Sequence, residues 1–408
     1  MGNGSPALMR RINAAHVLRE IRAAGAMSRA DLARITGLSK PTVTNVVEYL
    51  CSSGRVRPAT QDSPSRPSGR HPQLYEFCAD SHRVLGIDIG ADKLIVVVAN
   101  MDGDVLASRR RATSRISSHA PEKLLGLVRE TARKLLLETD VNGGDLLAVG
   151  VGTPGVVSAE GVVTLAPQLR GWEGLDLHAA LADVFDCPVH VEREVTLSLL
   201  AEQWLGVAQD LSDGLFVQLG VGVGAGLLID GRVYRGADGG AGEIGLMPLG
   251  SPTPFAGDGL GPFESATGGA ALAREGAAAA RTRRGTKLLE LAGGKADSVT
   301  AAMVFAAAAA GDATAGKVLS RALDVLAQGI AGLVCALNPR AVILSGGMSR
   351  AGEQLRGPLE ARVATQVPFP PKFLISTVGD EGVALGAVRR VTQTLDTDLT
   401  LPGPGVAR

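Results

Sequence analysis

The residue pattern predicts a small, mostly helical head over residues 1–82 and a two-lobed α/β body behind it. Three observations carry that division. Short helical patterns punctuated by Gly25 and Gly37 occupy the front of the chain. From residue 83 the texture changes to apolar strand runs, Gly-rich turns and Ala-rich helices. A strand, a Gly-rich turn and a hairpin then occur twice, near residues 84–107 and 214–234, as expected of duplicated lobes around a cleft.

In the head, residues 11–24 place Ile12, Ala15, Val17, Leu18 and Ile21 near helical spacing, and Gly25 supplies the stop. Ser28-Arg29-Ala30-Asp31 is a variant capping box ahead of Leu32, Ala33 and Ile35, which predicts a short second helix ending at Thr36-Gly37. Ser39 reads as the N-cap of a third helix, and Pro41 is tolerated in its first turn. Val43, Val46, Val47 and Leu50 form its apolar stripe. Ser39, Lys40, Thr42, Thr44 and Asn45 gather at its leading end and opposite face, where short polar side chains suit major-groove readout. A strand starting at Arg55-Val56-Arg57 and its return at Leu74–Phe77 enclose a Pro- and Gly-spaced loop carrying Arg66 and Arg70. That loop reads either as a basic wing able to enter a minor groove or as a solvated linker, and the wing is preferred. The head is therefore expected to be a winged helix-turn-helix contacting DNA through Ser39, Lys40, Thr42, Thr44, Asn45, Arg55, Arg66 and Arg70.

In the body, Val84–Gly90, Leu94–Ala99 and Val105–Ala107 read as a β-meander, with Asp88 and Gly90 at its first turn. A helix over 121–139 follows, then a strand from Leu146 to Gly152 that runs into Thr153-Pro154-Gly155. The second meander has a strand over 214–220, a turn through Gly222 and Gly224, and a return over 226–234. Ala-rich helices are expected at 298–311 and 312–337, before a buried strand over 341–347. The expected units are the head 1–82, a first lobe 83–193, a second lobe 194–380, a C-terminal helix 381–395 returning to the first lobe, and a flexible tail 396–408.

Across all 408 residues, 41 Lys and Arg balance 41 Asp and Glu. Within residues 1–82 there are 11 Lys and Arg against six Asp and Glu, so a basic head sits on an acidic body and a polyanion partner is expected for the head. A hydrophobic content of 45% excludes a largely disordered chain. Cys51, Cys78, Cys187 and Cys335 form no CxxC pair, which argues against a disulfide framework or a cysteine zinc knuckle. With no signal-like N-terminus and no evident membrane span, the expectation is a cytoplasmic protein without membrane partners.

Three segments carry a family resemblance: Gly-Val-Gly-Thr-Pro-Gly-Val-Val at 150–157, the Gly-rich stretch 220–245, and Ala-Val-Ile-Leu-Ser-Gly-Gly-Met-Ser-Arg-Ala-Gly at 341–352. Taken in order, they resemble the ROK family of repressors, open reading frames and sugar kinases, within the actin and hexokinase-like superfamily. The family's repressors carry a winged helix at the N-terminus, and its kinases usually lack one.

The resemblance also lets kinase chemistry be checked residue by residue. The family's catalytic base is the Asp of a V-E-N-D-A-N-like stretch; Val191–Thr196 reads V-E-R-E-V-T, which puts Glu194 there and Arg193 beside it. A displacement of about 1 Å at such a base costs on the order of a hundredfold in rate. The D-x-G-x-T phosphate loop becomes Asp88–Asp92, with Asp92 in place of the hydroxyl, and Gly-Thr-Gly becomes Gly220-Val221-Gly222. The zinc-binding His and Cys positions are also lost: Leu246 follows Gly245, and 255–264 has no Cys. No cofactor and no structural zinc are therefore expected, with Leu246 and Phe263 filling the space.

In the cleft the family's sugar-contacting positions correspond to Glu243, Glu264 and Gln168. The expected effector-binding set is Gly155, Gln168, Arg193, Glu194, Glu243 and Glu264. Two readings of Arg193 stay open at equal weight: recognition of an anionic sugar, or a structural pair with Glu192 or Glu194. The glutamates, for their part, either meet sugar hydroxyls or cap helices and pair with Arg193. The resemblance implies a non-enzymatic, DNA-binding regulator whose partners are operator DNA, a sugar, sugar phosphate or sugar acid effector, and a second copy as homodimer or dimer of dimers. A sugar kinase using ATP and a ligand-independent regulator are the alternatives.

Overall fold

The structure is a computed structural model that describes residues 6–59, 72–114, 121–141, 143–166, 169, 171–182, 184–249, 261–282 and 286–397. The head holds α1 (Pro6–Ala24), β1 (Met27–Ser28), α2 (Arg29–Thr36), α3 (Lys40–Ser52), β2 (Val56–Pro58) and β3 (Leu74–Phe77). Ser28 caps α2 by accepting from the Asp31 amide, and Ser39 caps α3 by accepting from the Thr42 amide. Both caps satisfy first-turn amides that have no partner within the helix. The apolar stripe of α3 packs with Ala14, Val17, Leu18 and Ile21 of α1 into one small core, and β3 pairs antiparallel with both β1 and β2.

The first sheet contains β4 (Arg83–Ile89), β5 (Lys93–Asn100), β6 (Val105–Ala112), β7 (Leu146–Thr153) and, after the hairpin β8 (Val156–Val157) and β9 (Val163–Leu165), β10 (Val189–Arg193). Helices α4 (Pro121–Glu138) and α5 (Leu177–Ala182) belong to this half, and α6 (Glu194–Leu205) leaves it. The second sheet contains β11 (Gly214–Leu219), β12 (Val223–Ile229) and β13 (Arg232–Tyr234). Helices α7 (Pro262–Thr267), α8 (Gly269–Ala280), α9 (Thr286–Leu291), α10 (Ala301–Ala309) and α11 (Ala313–Leu337) follow. The chain closes with β14 (Ala341–Ser345), α12 (Glu353–Ala364), β15 (Lys372–Ile375) and α13 (Gly382–Thr397). Strand orders are β10-β7-β4-β5-β6 and β15-β14-β11-β12-β13: each sheet is an antiparallel meander extended by two parallel strands. The repeat read in the sequence is thus a repeat of topology.

The second meander departs from expectation. The first turn covers Gly220–Gly222 and includes Gly222 as expected, but the middle strand begins at Val223, so Gly224 lies inside β12, as does Gly226, and a second turn at Asp230-Gly231, both with positive φ, divides the expected return into β12 and β13. Packing explains the glycines: a Cβ on Gly224 would sit 3.1 Å from Val195, and one on Gly226 3.1 Å from Leu199, both on α6. Removing those side chains lets α6 lie close on the strand.

The same device seats α13. It packs on β4 and β7 from one side and on α6 from the other, and α6 packs on β12. The two helices are therefore stacked between the sheets. A Cβ on Gly86 or Gly150 would fall 2.2 or 2.4 Å from backbone oxygens of α13, and one on Gly386 would fall 1.9 Å from the Leu197 carbonyl of α6. Helix α11 is long and apolar enough to cross a membrane by length and composition, although Lys317, Arg321 and Asp324 interrupt its apolar run. Its apolar face, from Leu323 to Val334, is nevertheless spent on the second lobe's core.

Candidate functional site

At the head, Ser39, Lys40 and Asn45 are exposed, and Thr42 and Thr44 are half-buried along the leading end of α3. Part of that polarity is already used: the Ser39 and Thr42 hydroxyls lie 2.8 Å apart in the cap. Arg55 is a correction. It is only 5% exposed, folded under the return of β3 with its carbonyl accepting from the Cys78 amide, so it has no surface to offer DNA. Arg66 and Arg70 lie outside the described residues; β2 and β3 are the paired strands that flank them.

The head is fastened to the body through Arg22, which donates to the Met101 carbonyl and the Asp102 carboxylate, each at 3.0 Å, and stacks over the Phe77 ring. Helix α1 also packs against α13.

In the body, the ends of β4 and β10 bring the buried carboxylate of Asp88 and the half-buried one of Glu194 near each other. Asp88 is 1% exposed, with Lys93 Nζ 3.3 Å from its Oδ2, and burial raises its pKa to about 6. Glu194, the first residue of α6, is raised to about 7 by burial first and then by the negative charge of Asp88; Lys93 and a 2.8 Å hydrogen bond from Gln218 Nε2 offset only part of this. Lys93 also donates to the Asp380 carbonyl at 2.6 Å. The Asp380 carboxylate in turn accepts from Arg110 at 2.7 Å and Arg350 at 2.6 Å, and the Arg110 hydrogen bond leads in holding it below the ordinary carboxylate range. Asp380 thus clasps the first sheet, through Arg110 on β6, to the segment that follows β14.

Arg193 is 3% exposed and pairs with Glu243 at 2.5 Å, while also donating to the Ala241 carbonyl. The guanidinium therefore turns to Glu243 rather than to its sequence neighbours. Glu192 faces elsewhere, with Oε1 accepting from the Arg193 amide at 3.0 Å and Oε2 2.8 Å from Arg235. Glu264 accepts from the Gly261 amide at 3.0 Å and the Val223 amide at 3.3 Å, bracing α7 against β12. Gly155 has φ +92°, and a Cβ there would meet the Leu165 carbonyl at 1.8 Å, which fixes glycine at the entry to the β8–β9 hairpin. Gln168 lies outside the described residues.

Of the phosphate-loop positions, Asp92 is exposed and Val221 is 58% exposed on a loop whose carbonyls receive the Gly269 and Ala270 amides of α8. Neither offers a hydroxyl. Leu246 and Phe263 do not fit a zinc ion, since neither carries a donor atom; Phe263 is fully buried against Gly329 in the second core.

Lys93, Arg110, Arg350, Asp380 and Gln218 were not singled out in the sequence. Asp380 is separated from Arg110 by 270 positions, so no local pattern marks the pair.

Comparison with known proteins places this architecture. A xylose repressor of Caldicellulosiruptor bescii is 28% identical over 394 residues, spanning 95% of this chain and 97% of the relative. A glucokinase of Halalkalibacterium halodurans is 30% identical over 312 residues, 74% of this chain and 92% of that one. A crystal structure of a ROK family transcriptional regulator, a homologue of the E. coli MLC protein, superposes with a TM-score of 0.78 at 22% identity, covering 95% of this chain and 97% of that one. It shares the fold, with the body in the actin and hexokinase-like arrangement and the helical head in front. Because the family model for ROK proteins also matches residues 84–394, the chain belongs to the ROK family.

Proposed function

We propose that the chain is a transcriptional regulator, most simply a repressor, that binds operator DNA through a winged helix-turn-helix and is gated by a sugar, sugar phosphate or sugar acid between its lobes. The observation that carries this reading is the head itself: a capped α3 with an exposed polar leading end, followed by a small antiparallel sheet and fastened to the body through Arg22. A repressor relative matching nearly the whole chain, head included, supports it. The working units in this reading are the head 1–82, lobes 83–193 and 194–380, and the helix 381–395 that completes the first lobe. Pairing as a dimer, or a dimer of dimers, would present two heads to a palindromic site. An effector that binds the closed arrangement better than the open one would shift the lobes and, through α13 and α1, the heads.

One observation favours a second reading, a sugar kinase. Glu194 occupies the base position with a pKa near 7, a value suited to general-base work at neutral pH. Against it stand Asp92 and Val221, which supply no hydroxyl to phosphate and, at Asp92, add a negative charge.

The DNA reading is tested by selecting duplexes from a random-sequence pool with the full chain and measuring their affinity. Lys40→Ala/Thr44→Ala/Asn45→Ala should weaken the selected duplex at least a hundredfold, since each lost base or phosphate contact is worth about 1–3 kcal/mol. Equal binding by the variant removes α3 as the reading helix, and failure of the parent chain to select any duplex overturns the regulator.

A further inference from the structure

A cavity of about 320 Å³ opens where the two halves of the body meet. It is lined by Glu192 of β10, Thr196 of α6, Arg232 and Arg235 around β13, and Arg390 and Gln393 of α13. Adjacent residues on a strand point to opposite faces, so Glu192 turns away from the Arg193–Glu243 pair and this cavity is separate from the cleft described above.

Its chemistry is lopsided. Three guanidiniums face one carboxylate, and that carboxylate is already committed: Glu192 is 3% exposed, held by Arg235 and by the Arg193 amide. Arg232, on β13, and Arg390, on α13, have no carboxylate partner among the described residues. Thr196, 7% exposed, lines the cavity with a hydroxyl that makes no hydrogen bond among the described residues. Two unneutralised guanidinium forks and a spare hydroxyl converge on a space larger than a phosphate group needs.

We infer that this cavity is an anion site, distinct from the inter-lobe cleft, that takes a phosphate group, free or as a monoester, between Arg232 and Arg390. Guanidinium forks match phosphate oxygens in pairs, and a dianion balances the excess charge. The ligand bridges β13 and α13, the helix that also carries the head.

The test is titration calorimetry on the full chain with two probes, inorganic phosphate and glycerol 3-phosphate. The parent chain should bind saturably, and Arg232→Ala/Arg390→Ala should bind at least tenfold more weakly, with an unchanged melting temperature in ligand-free buffer because both side chains are exposed. Tighter binding of the ester assigns the site to an organic phosphate; equal binding assigns it to free phosphate. Absence of saturable binding, or equal affinity in the double variant, overturns the proposal.

Discussion

Gly386→Ala is expected to be strongly destabilising for a single added methyl, lowering stability by at least about 3 kcal/mol. The added Cβ would fall 1.9 Å from the Leu197 carbonyl, well inside contact distance, and the obstacle is backbone rather than a side chain able to rotate away. Relief would require moving α13 from α6, but α13 is held on its other face by the close approach of Gly86 and Gly150. Helix propensity works the other way, since alanine is favoured over glycine within a helix by about 1 kcal/mol, so a net loss isolates the packing effect. Gly316→Ala, on α11 where a Cβ meets nothing within 4 Å, is the control and should be neutral or slightly stabilising. Chemical denaturation of the two variants checks this; equal stability would mean that the two helices are not packed as described.

Glu194→Gln should raise stability at pH 8 and leave it little changed at pH 4. In the folded chain Glu194 ionises only near pH 7, against 4.5 for an ordinary glutamate. A raised carboxyl pKa means that the native state holds its proton more tightly than the unfolded chain does. Its stabilising contribution is therefore complete below about pH 4.5 and is lost as pH rises through about 7. The loss is on the order of 3 kcal/mol at alkaline pH. Glutamine keeps the carbonyl that accepts from Gln218 and carries no charge towards Asp88, so it removes the pH dependence without removing the hydrogen bond. Asp88, raised to about 6, contributes a second decline that remains in the variant. Melting temperatures between pH 4 and 8 should converge at the acidic end and diverge by several degrees at the basic end. Parallel curves would show that Glu194 does not carry this cost.

What the sequence made legible depends on the range of the interaction. Ser39, Pro41 and the Val43–Leu50 stripe announce α3 because cap, first turn and apolar face all lie within one helix. The duplicated meanders were visible for the same reason, being built of neighbouring strands. Gly224 looks like a turn residue until α6 is placed over β12, since its reason is a contact with Val195 rather than a backbone bend. Arg55 looks like a phosphate contact because burial under β3 is set by a strand that returns some 20 residues later. The partner of Arg193 was hidden by the same geometry: strand alternation separates it from Glu192, and Glu243 reaches it from 50 positions away. The Asp380 clasp joins residues from β6, the segment after β14 and the turn before α13, so only the folded lobes assemble it.

In the proposed function, a kinase-like body gates a DNA-binding head. The most direct measurement adds sugars, sugar phosphates and sugar acids, each with and without ATP and magnesium, to the full chain on its selected duplex. Fluorescence anisotropy follows the DNA while phosphorylated product is assayed in the same tube. At least one compound should change duplex affinity tenfold or more without ATP, and no compound should be phosphorylated with turnover. Catalytic phosphorylation of a sugar, with duplex affinity indifferent to every compound, would contradict the proposed function.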